Sequence, residues 1–266
     1  MIGATSNGKL TEVLPVITIV GTGHVFDLSD KIYRLIHKIR PDLVAVELDR
    51  SRLGMLQMER RNREKGIETP VSIGMLLKPS PIPFRFRIIG YIQKKLAAAN
   101  NVFPGEEMLT GVEAGRSIGA KIALIDRDIN KTLYSLNKAM TSREKLRFYF
   151  ALFAGFTGLG GGKKETIHSQ IERISNDYDS VIEEIGKQFP GLKRALIDER
   201  DLNMAYALTR LNDTYPTIIV FVGEAHVTGM KRLLEKKGIH PDIIHLSSFM
   251  NDAVPQASHS INVSVH

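Results

Sequence analysis

Thr217-Ile218-Ile219-Val220-Phe221-Val222, running straight into Gly223-Glu224-Ala225-His226-Val227, is the stretch on which the fold turns. A short continuous apolar run rich in β-branched residues and closed by glycine is the pattern of a strand buried on both faces of a parallel sheet. The same pattern stands near the other end of the chain, where Val16-Ile17-Thr18-Ile19-Val20 runs into Gly21-Thr22-Gly23-His24-Val25. Each copy continues through an amphipathic stretch, residues 31–39 and 230–237, and then a Pro-Asp pair, Pro41-Asp42 and Pro241-Asp242. Each closes on a second apolar run, Leu43-Val44-Ala45-Val46 ending in Glu47, and Ile243-Ile244-His245-Leu246. Strand, G-x-x-H, helix, Pro-Asp, strand is thus written twice, which predicts an α/β fold with a largely parallel sheet flanked by helices. In such sheets the loops leaving the carboxyl ends of the strands form the ligand crevice. The repeat therefore predicts that two histidines converge on one site.

Between the copies the pattern becomes mostly helical. Residues 106–118 follow Pro104-Gly105 and carry Met108, Leu109, Val112 and Ile118 on a helical period, feeding a predicted strand over 121–125 that stops at Asp126-Arg127-Asp128. Three helices are predicted over 141–211, broken near 158–162 and at Pro190-Gly191. Thr141-Ser142-Arg143-Glu144 has the spacing of a capping box at their start. This block reads as a helical insertion, residues 67–83 as a proline-rich connection or lid, and the tail from Asn251 as weakly patterned.

Composition narrows the function. The formal charge of +7 favours anionic partners, but lysines and arginines are dispersed among acidic residues and no binding module is evident, so no nucleic acid is expected. Without cysteine there is neither a disulfide nor a thiolate metal site, leaving His, Asp and Glu as ligands. The N-terminus lacks the regions of a signal peptide. The apolar stretch 146–160 falls short of the roughly twenty residues needed to span a bilayer and reads as a core helix. Gly158 to Gly162 followed by Lys163-Lys164 is not a phosphate loop, since Thr157 and Lys164 stand where that motif needs Gly and Ser or Thr. Gly21-Thr22-Gly23 is not a dinucleotide fingerprint, because Phe26 occupies the place of its third glycine.

What remains is a set of charged strand endings: His24, Glu47 with Asp49, Asp126 with Arg127, and Glu224 with His226. Any single one is explained as a strand emerging into solvent or a histidine capping the next helix. The matched placement of His24 and His226 argues for a shared site. Two imidazoles and a carboxylate such as Glu47 form a ligand set suited to zinc, manganese, cobalt or iron. Arg127 can orient a carboxylate or phosphate, or stabilise an oxyanion. Glu199-Arg200-Asp201 lies within a predicted helix, where a solvated face is the simpler reading.

Taken in order, Gly21-Thr22-Gly23-His24-Val25, Pro41-Asp42-Leu43-Val44-Ala45-Val46-Glu47-Leu48-Asp49, Pro104-Gly105-Glu106-Glu107-Met108, Leu124-Ile125-Asp126-Arg127-Asp128-Ile129, Glu199-Arg200-Asp201 and Val222-Gly223-Glu224-Ala225-His226 resemble the TraB/PrgY family, related to the Tiki proteins. The resemblance implies an erythromycin esterase/ChaN-like fold in one domain over residues 1–250, with the helical insertion at about 141–211 and a tail over 251–266. Tiki members are metal-dependent proteases, and PrgY-type members restrain peptide pheromones. The resemblance therefore implies a divalent-metal-dependent hydrolase acting on a peptide or protein substrate, with manganese, cobalt or zinc held by His24, Glu47 and His226. Asp126, Arg127, Glu199 and Arg200 join these as motif residues of the same site. The alternative is a non-catalytic regulator of the pheromone-shutdown type that binds or sequesters peptide in the same crevice. Many prokaryotic members carry a hydrophobic membrane region after the second G-x-x-H, a pattern not found in residues 251–266. The expectation is a cytoplasmic protein, or the soluble part of a longer, membrane-attached one. A helical block rich in Leu, Phe and Ala can cover its spare apolar face with a second copy, so a homodimer is also expected.

Overall fold

The computed structural model describes residues 16–23, 27–67, 103, 105–157 and 178–251, with side chains left undescribed at 149 and 151–157. His24, the proline-rich stretch from residue 68, the break at 158–162 and the tail from residue 252 lie outside the described residues.

Five strands form one parallel sheet: β1 (Val16–Thr22), β2 (Leu43–Val46), β3 (Lys121–Leu124), β4 (Thr217–Gly223) and β5 (Asp242–Ile244), in the order β3-β2-β4-β1-β5. This is the parallel α/β architecture expected from the sequence. The opening stretch, β4, is central, and Ile218 to Val222 are buried along their whole length. Continuous apolarity follows from cover on both faces, and the side chains alternate between the two layers. Val20, Val44, Val46, Ile219 and Phe221 face α1 (Ser29–Ile39) and α3 (Glu106–Ser117). Ile17, Ile19, Leu43, Ala45, Ile218, Val220 and Val222 face α8 (Glu199–Asn212) and α9 (Glu224–Glu235).

The remaining helices are α2 (Arg50–Glu64), α4 (Ile129–Ala139), α5 (Ser142–Thr157), α6 (Tyr178–Gln188), α7 (Pro190–Lys193) and α10 (Leu246–Met250). The capping box forms as spaced: Thr141 N–H donates to Glu144 Oε2 at 2.8 Å, and Glu144 N–H donates to Thr141 Oγ1 at 3.2 Å. The other Glu144 oxygen accepts from the Gly191 N–H at 2.7 Å, tying the start of α5 to the break at Pro190, which opens α7 as a proline can. One π-helical turn, Arg194–Asp198, joins α7 to α8. Helix α8, the last of the 141–211 block, packs Met204, Ala205 and Leu208 against the sheet.

Two boundaries differ from the sequence reading. Helix α9 begins at Glu224 instead of residue 230, so His226 sits in its first turn, whereas α1 begins at Ser29, well past His24. The second G-x-x-H motif therefore runs from β4 directly into its helix. Strand β5 stops at Ile244 because His245 starts the turn into α10, whose Leu246 N–H is claimed by Glu224 at 2.8 Å. Among the described residues no helix is long and apolar enough to cross a membrane.

Candidate functional site

Parallel pairing brings the carboxyl ends of β1, β2, β3 and β4 to one edge, with Thr22 beside Gly223, Val46 beside Phe221 and Val46 beside Leu124. Side chains that follow these strands must rise from that edge. The ladder runs slightly past the strands: Glu47 N–H donates to Phe221 O at 3.0 Å, and Ile125 N–H to Val46 O at 3.1 Å. Glu47, Asp126 and His226 are thereby fixed around one point, and Arg200, reaching over from the first turn of α8, fills it.

Arg200 is a fork shared among them. Its Nε and Nη2 donate to the two Asp126 oxygens at 3.1 and 2.8 Å, a bidentate pair, and Nη2 also donates to Glu47 Oε1. Its Nη1 lies 3.1 Å from His226 Nε2 and 3.3 Å from the Leu196 carbonyl. Glu47 Oε2 accepts from the Gly223 N–H at 2.5 Å. Side-chain exposure is 8% for Glu47, 13% for Asp126, 18% for Arg200 and 4% for His226, so these interactions form in a poorly solvated setting where ionic contacts are strong and unpaired charges costly.

The electrostatics follow. Burial alone would raise the Glu47 pKa, but the positive charges of His226 and Arg200 outweigh it and hold the carboxyl well below its ordinary range. Burial disfavours a charged His226, yet Glu47 and the hydrogen bond to Asp201 push the ring up to about 9, with Arg200 opposing. Two arrangements compete at Nε2. A guanidinium has no acceptor, so the 3.1 Å contact with Arg200 is a hydrogen bond only when Nε2 is unprotonated. A proton on Nε2 instead points toward Glu47 Oε1, 3.4 Å away.

The donor set suits a divalent metal in part. Two donors on a four-coordinate zinc, each at about 2.0–2.1 Å, lie roughly 3.3–3.4 Å apart, matching the 3.4 Å between Glu47 Oε1 and His226 Nε2. Among the described residues no cluster of three or more metal-type side chains forms, and His24 lies outside them. In this arrangement Arg200 engages the same lone pairs a metal would use.

The model of the TraB/PrgY/gumN family matches residues 5–242. The chain belongs to this family. Among relatives, an uncharacterized protein of Methanocaldococcus jannaschii is 29% identical over 83% of this chain and 53% of its own length. TraB domain-containing proteins of Bos taurus and Homo sapiens are each 25% identical over 81% of this chain and 62% of their own lengths. The chain thus spans between about half and two thirds of the relatives it matches.

Arg127 and Glu199, expected at the site from the sequence, form a second network beside the first. Arg127 Nη1 donates to Glu199 Oε2 at 2.9 Å, Nη2 to the Ala195 carbonyl at 2.8 Å and Nε to Thr132 Oγ1 at 3.0 Å, while Ser135 Oγ also donates to Glu199. The hydrogen bond from Ser135 comes first among the interactions that hold Glu199 below its ordinary pKa, with Arg127 reinforcing it. Adjacent Asp126-Arg127 and adjacent Glu199-Arg200 therefore cross-pair, acid to base and base to acid, clasping the start of α8 to the end of β3. Arg127 is occupied by this clasp, so Arg200 is the arginine that faces Glu47 and His226.

Other strand-end residues turn elsewhere. Glu224 binds His245 Nδ1 at 2.6 Å and the Leu246 N–H, capping α10. Gly21 of the first motif serves this packing, since a Cβ there would meet Glu224 Oε2 at 1.7 Å. Asp49 caps α2, accepting from the Ser51 N–H at 2.7 Å and the Arg52 N–H at 3.0 Å. Sequence reasoning passed over Asp201, which accepts from His226 Nδ1 at 2.5 Å and is 3% exposed. Its position in the Glu199-Arg200-Asp201 run was the available signal, but three successive charges on a helix do not reveal which of them turn inward.

Proposed function

We propose that this chain is a divalent-metal-dependent hydrolase acting on peptide substrates, with His24, Glu47 and His226 as the ligand set. The observation that carries the reading is the approach of Glu47 Oε1 to His226 Nε2, 3.4 Å, at the carboxyl edge of a parallel sheet. A zinc, manganese or cobalt ion held by these residues would supply Lewis-acid chemistry for hydrolysis. The chain's own residues do the rest. The Gly223 N–H anchors Glu47 through its second oxygen, leaving Oε1 toward the crevice. Asp126, bound to Arg200 at two points, is a candidate base for a water proton, and Arg200 supplies positive charge opposite a developing oxyanion. Metal analysis of the purified chain, followed by manganese, cobalt and zinc titration against a peptide library, tests the proposal. Metal-free protein with no metal-stimulated cleavage rejects it.

One observation favours the second reading, a regulator that binds peptide without turnover. Arg200 closes on the ligand atoms of Glu47 and His226, leaving a charged crevice complete in itself. That reading requires saturable peptide binding that survives chelation, with peptide recovered intact. A homodimer is part of the proposal on either reading, and light scattering that returns a mass near 29.7 kDa at all concentrations rejects it.

A further inference from the structure

We infer that Asp201 is a positioning residue that fixes His226 as its Nδ1-protonated tautomer and turns Nε2 into the crevice, and that Gly229 exists to make room for it. Asp201 Oδ1 lies 2.5 Å from His226 Nδ1, and both residues are 3% exposed. A buried carboxylate only accepts, so the ring nitrogen facing it carries the proton. On the far side of the ring Arg200 Nη1, a donor in every state, approaches Nε2 at 3.1 Å, so the neutral ring presents its lone pair there. Because Nε2 faces both this donor and the Glu47 Oε1 acceptor at 3.4 Å, the carboxylate at Nδ1 decides between the two tautomers.

The space for this contact is built into α9. Gly229 follows His226 by three residues, which puts it on the same face of the helix. A Cβ at Gly229 would stand 1.9 Å from Asp201 Oδ2 and 2.9 Å from its carboxyl carbon. Any larger residue therefore expels the carboxylate from its seat. The motif extends to His226-Val227-Thr228-Gly229, in which the histidine acts and the glycine admits its partner from α8. A histidine whose remote nitrogen is held by a carboxylate keeps its orientation and becomes a better ligand or base at the other nitrogen.

The inference rests on the hydrolase reading only for what Nε2 then does; which nitrogen carries the proton is independent of turnover. The experiment is long-range proton–nitrogen correlation NMR on the full chain with 15N-labelled histidine, at alkaline pH where the ring is neutral. Wild-type protein should show the His226 spin system as the Nδ1-protonated form alone. In Asp201→Leu, which removes the acceptor, and in Gly229→Ala, which deletes no polar group but displaces the carboxylate, the Nε2-protonated form should become a major population, its proton turned toward Glu47 Oε1. A wild-type ring protonated on Nε2 overturns the inference without reference to any variant. So does a folded Gly229→Ala or Asp201→Leu chain whose tautomer is unchanged. A chain inert toward peptides, with or without metal, yet showing the expected tautomers would reject the hydrolase and leave this inference standing.

Discussion

Replacing Arg200 by methionine removes a buried cation from between two carboxylates and is the most demanding test of the site. The side chain is 18% exposed, between Glu47 at 8% and Asp126 at 13%. Deleting one partner of a buried pair costs about 3–5 kcal/mol, mainly because the remaining charge stays desolvated and unpaired. Methionine keeps much of the arginine stem's apolar volume, so lost packing adds little. For a chain of this size about 1 kcal/mol shifts the midpoint by roughly 2–4 °C, giving a fall of about 6–20 °C. Urea unfolding followed by circular dichroism, with a thermal scan, measures both. Adding Glu47→Gln to Arg200→Met should recover about 1–3 kcal/mol, since a neutral amide no longer needs the guanidinium and contacting residues couple on this scale. A loss below about 1 kcal/mol would place the cluster with solvent-screened surface pairs, and strict additivity of the two changes would show that Arg200 and Glu47 are not coupled. Either result refutes the reasoning.

Other outcomes follow from particular contacts. His226 is held above its ordinary pKa of 6.5, at about 9, so its contribution to stability is full below pH 6.5 and is lost as pH rises to about 9. Denaturant titrations from pH 6 to 10 should show a decline on the order of 3 kcal/mol that is absent in His226→Gln; a flat wild-type profile contradicts the assignment. Thr141→Ala should cost about 0.5–2 kcal/mol by loss of the α5 cap, and Glu144→Ala more, because the Gly191 N–H also loses its acceptor; calorimetry checks the ranking, and peptide cleavage should be unchanged in Thr141→Ala. If His24, Glu47 and His226 form one metal-assisted site, alanine at any one should remove most hydrolysis while His24→Ala with His226→Ala adds little. Losses that multiply in kinetic assays would separate the histidines.

Much of the fold was written locally. Continuous apolarity in β2 and β4, the Thr141 to Glu144 spacing and the proline at 190 each depend on near neighbours, and the chain follows them. Parallel connectivity then makes it inevitable that residues after strands meet at one edge, which is why Glu47, Asp126 and His226 could be proposed together from sequence. Pairing across elements was not legible. Strand β4 inserts between β1 and β2, and nothing in the local pattern of either dictates that order. Glu224 and His226 read as equals beside β4, but the helix that begins at Glu224 turns one toward α10 and the other toward the crevice. The same holds for Glu199-Arg200-Asp201. Successive residues on a helix project about 100° apart, and only where the π turn and α8 settle against β3 and α9 decides that Arg200 meets Glu47, Asp201 meets His226, and Glu199 turns aside to Arg127. Sequence encodes periodicity and strand-end chemistry because these depend on a few adjacent residues; the hydrogen-bond partners of a buried charge depend on elements tens to hundreds of residues away, whose relative placement is fixed only when both faces of the sheet are covered.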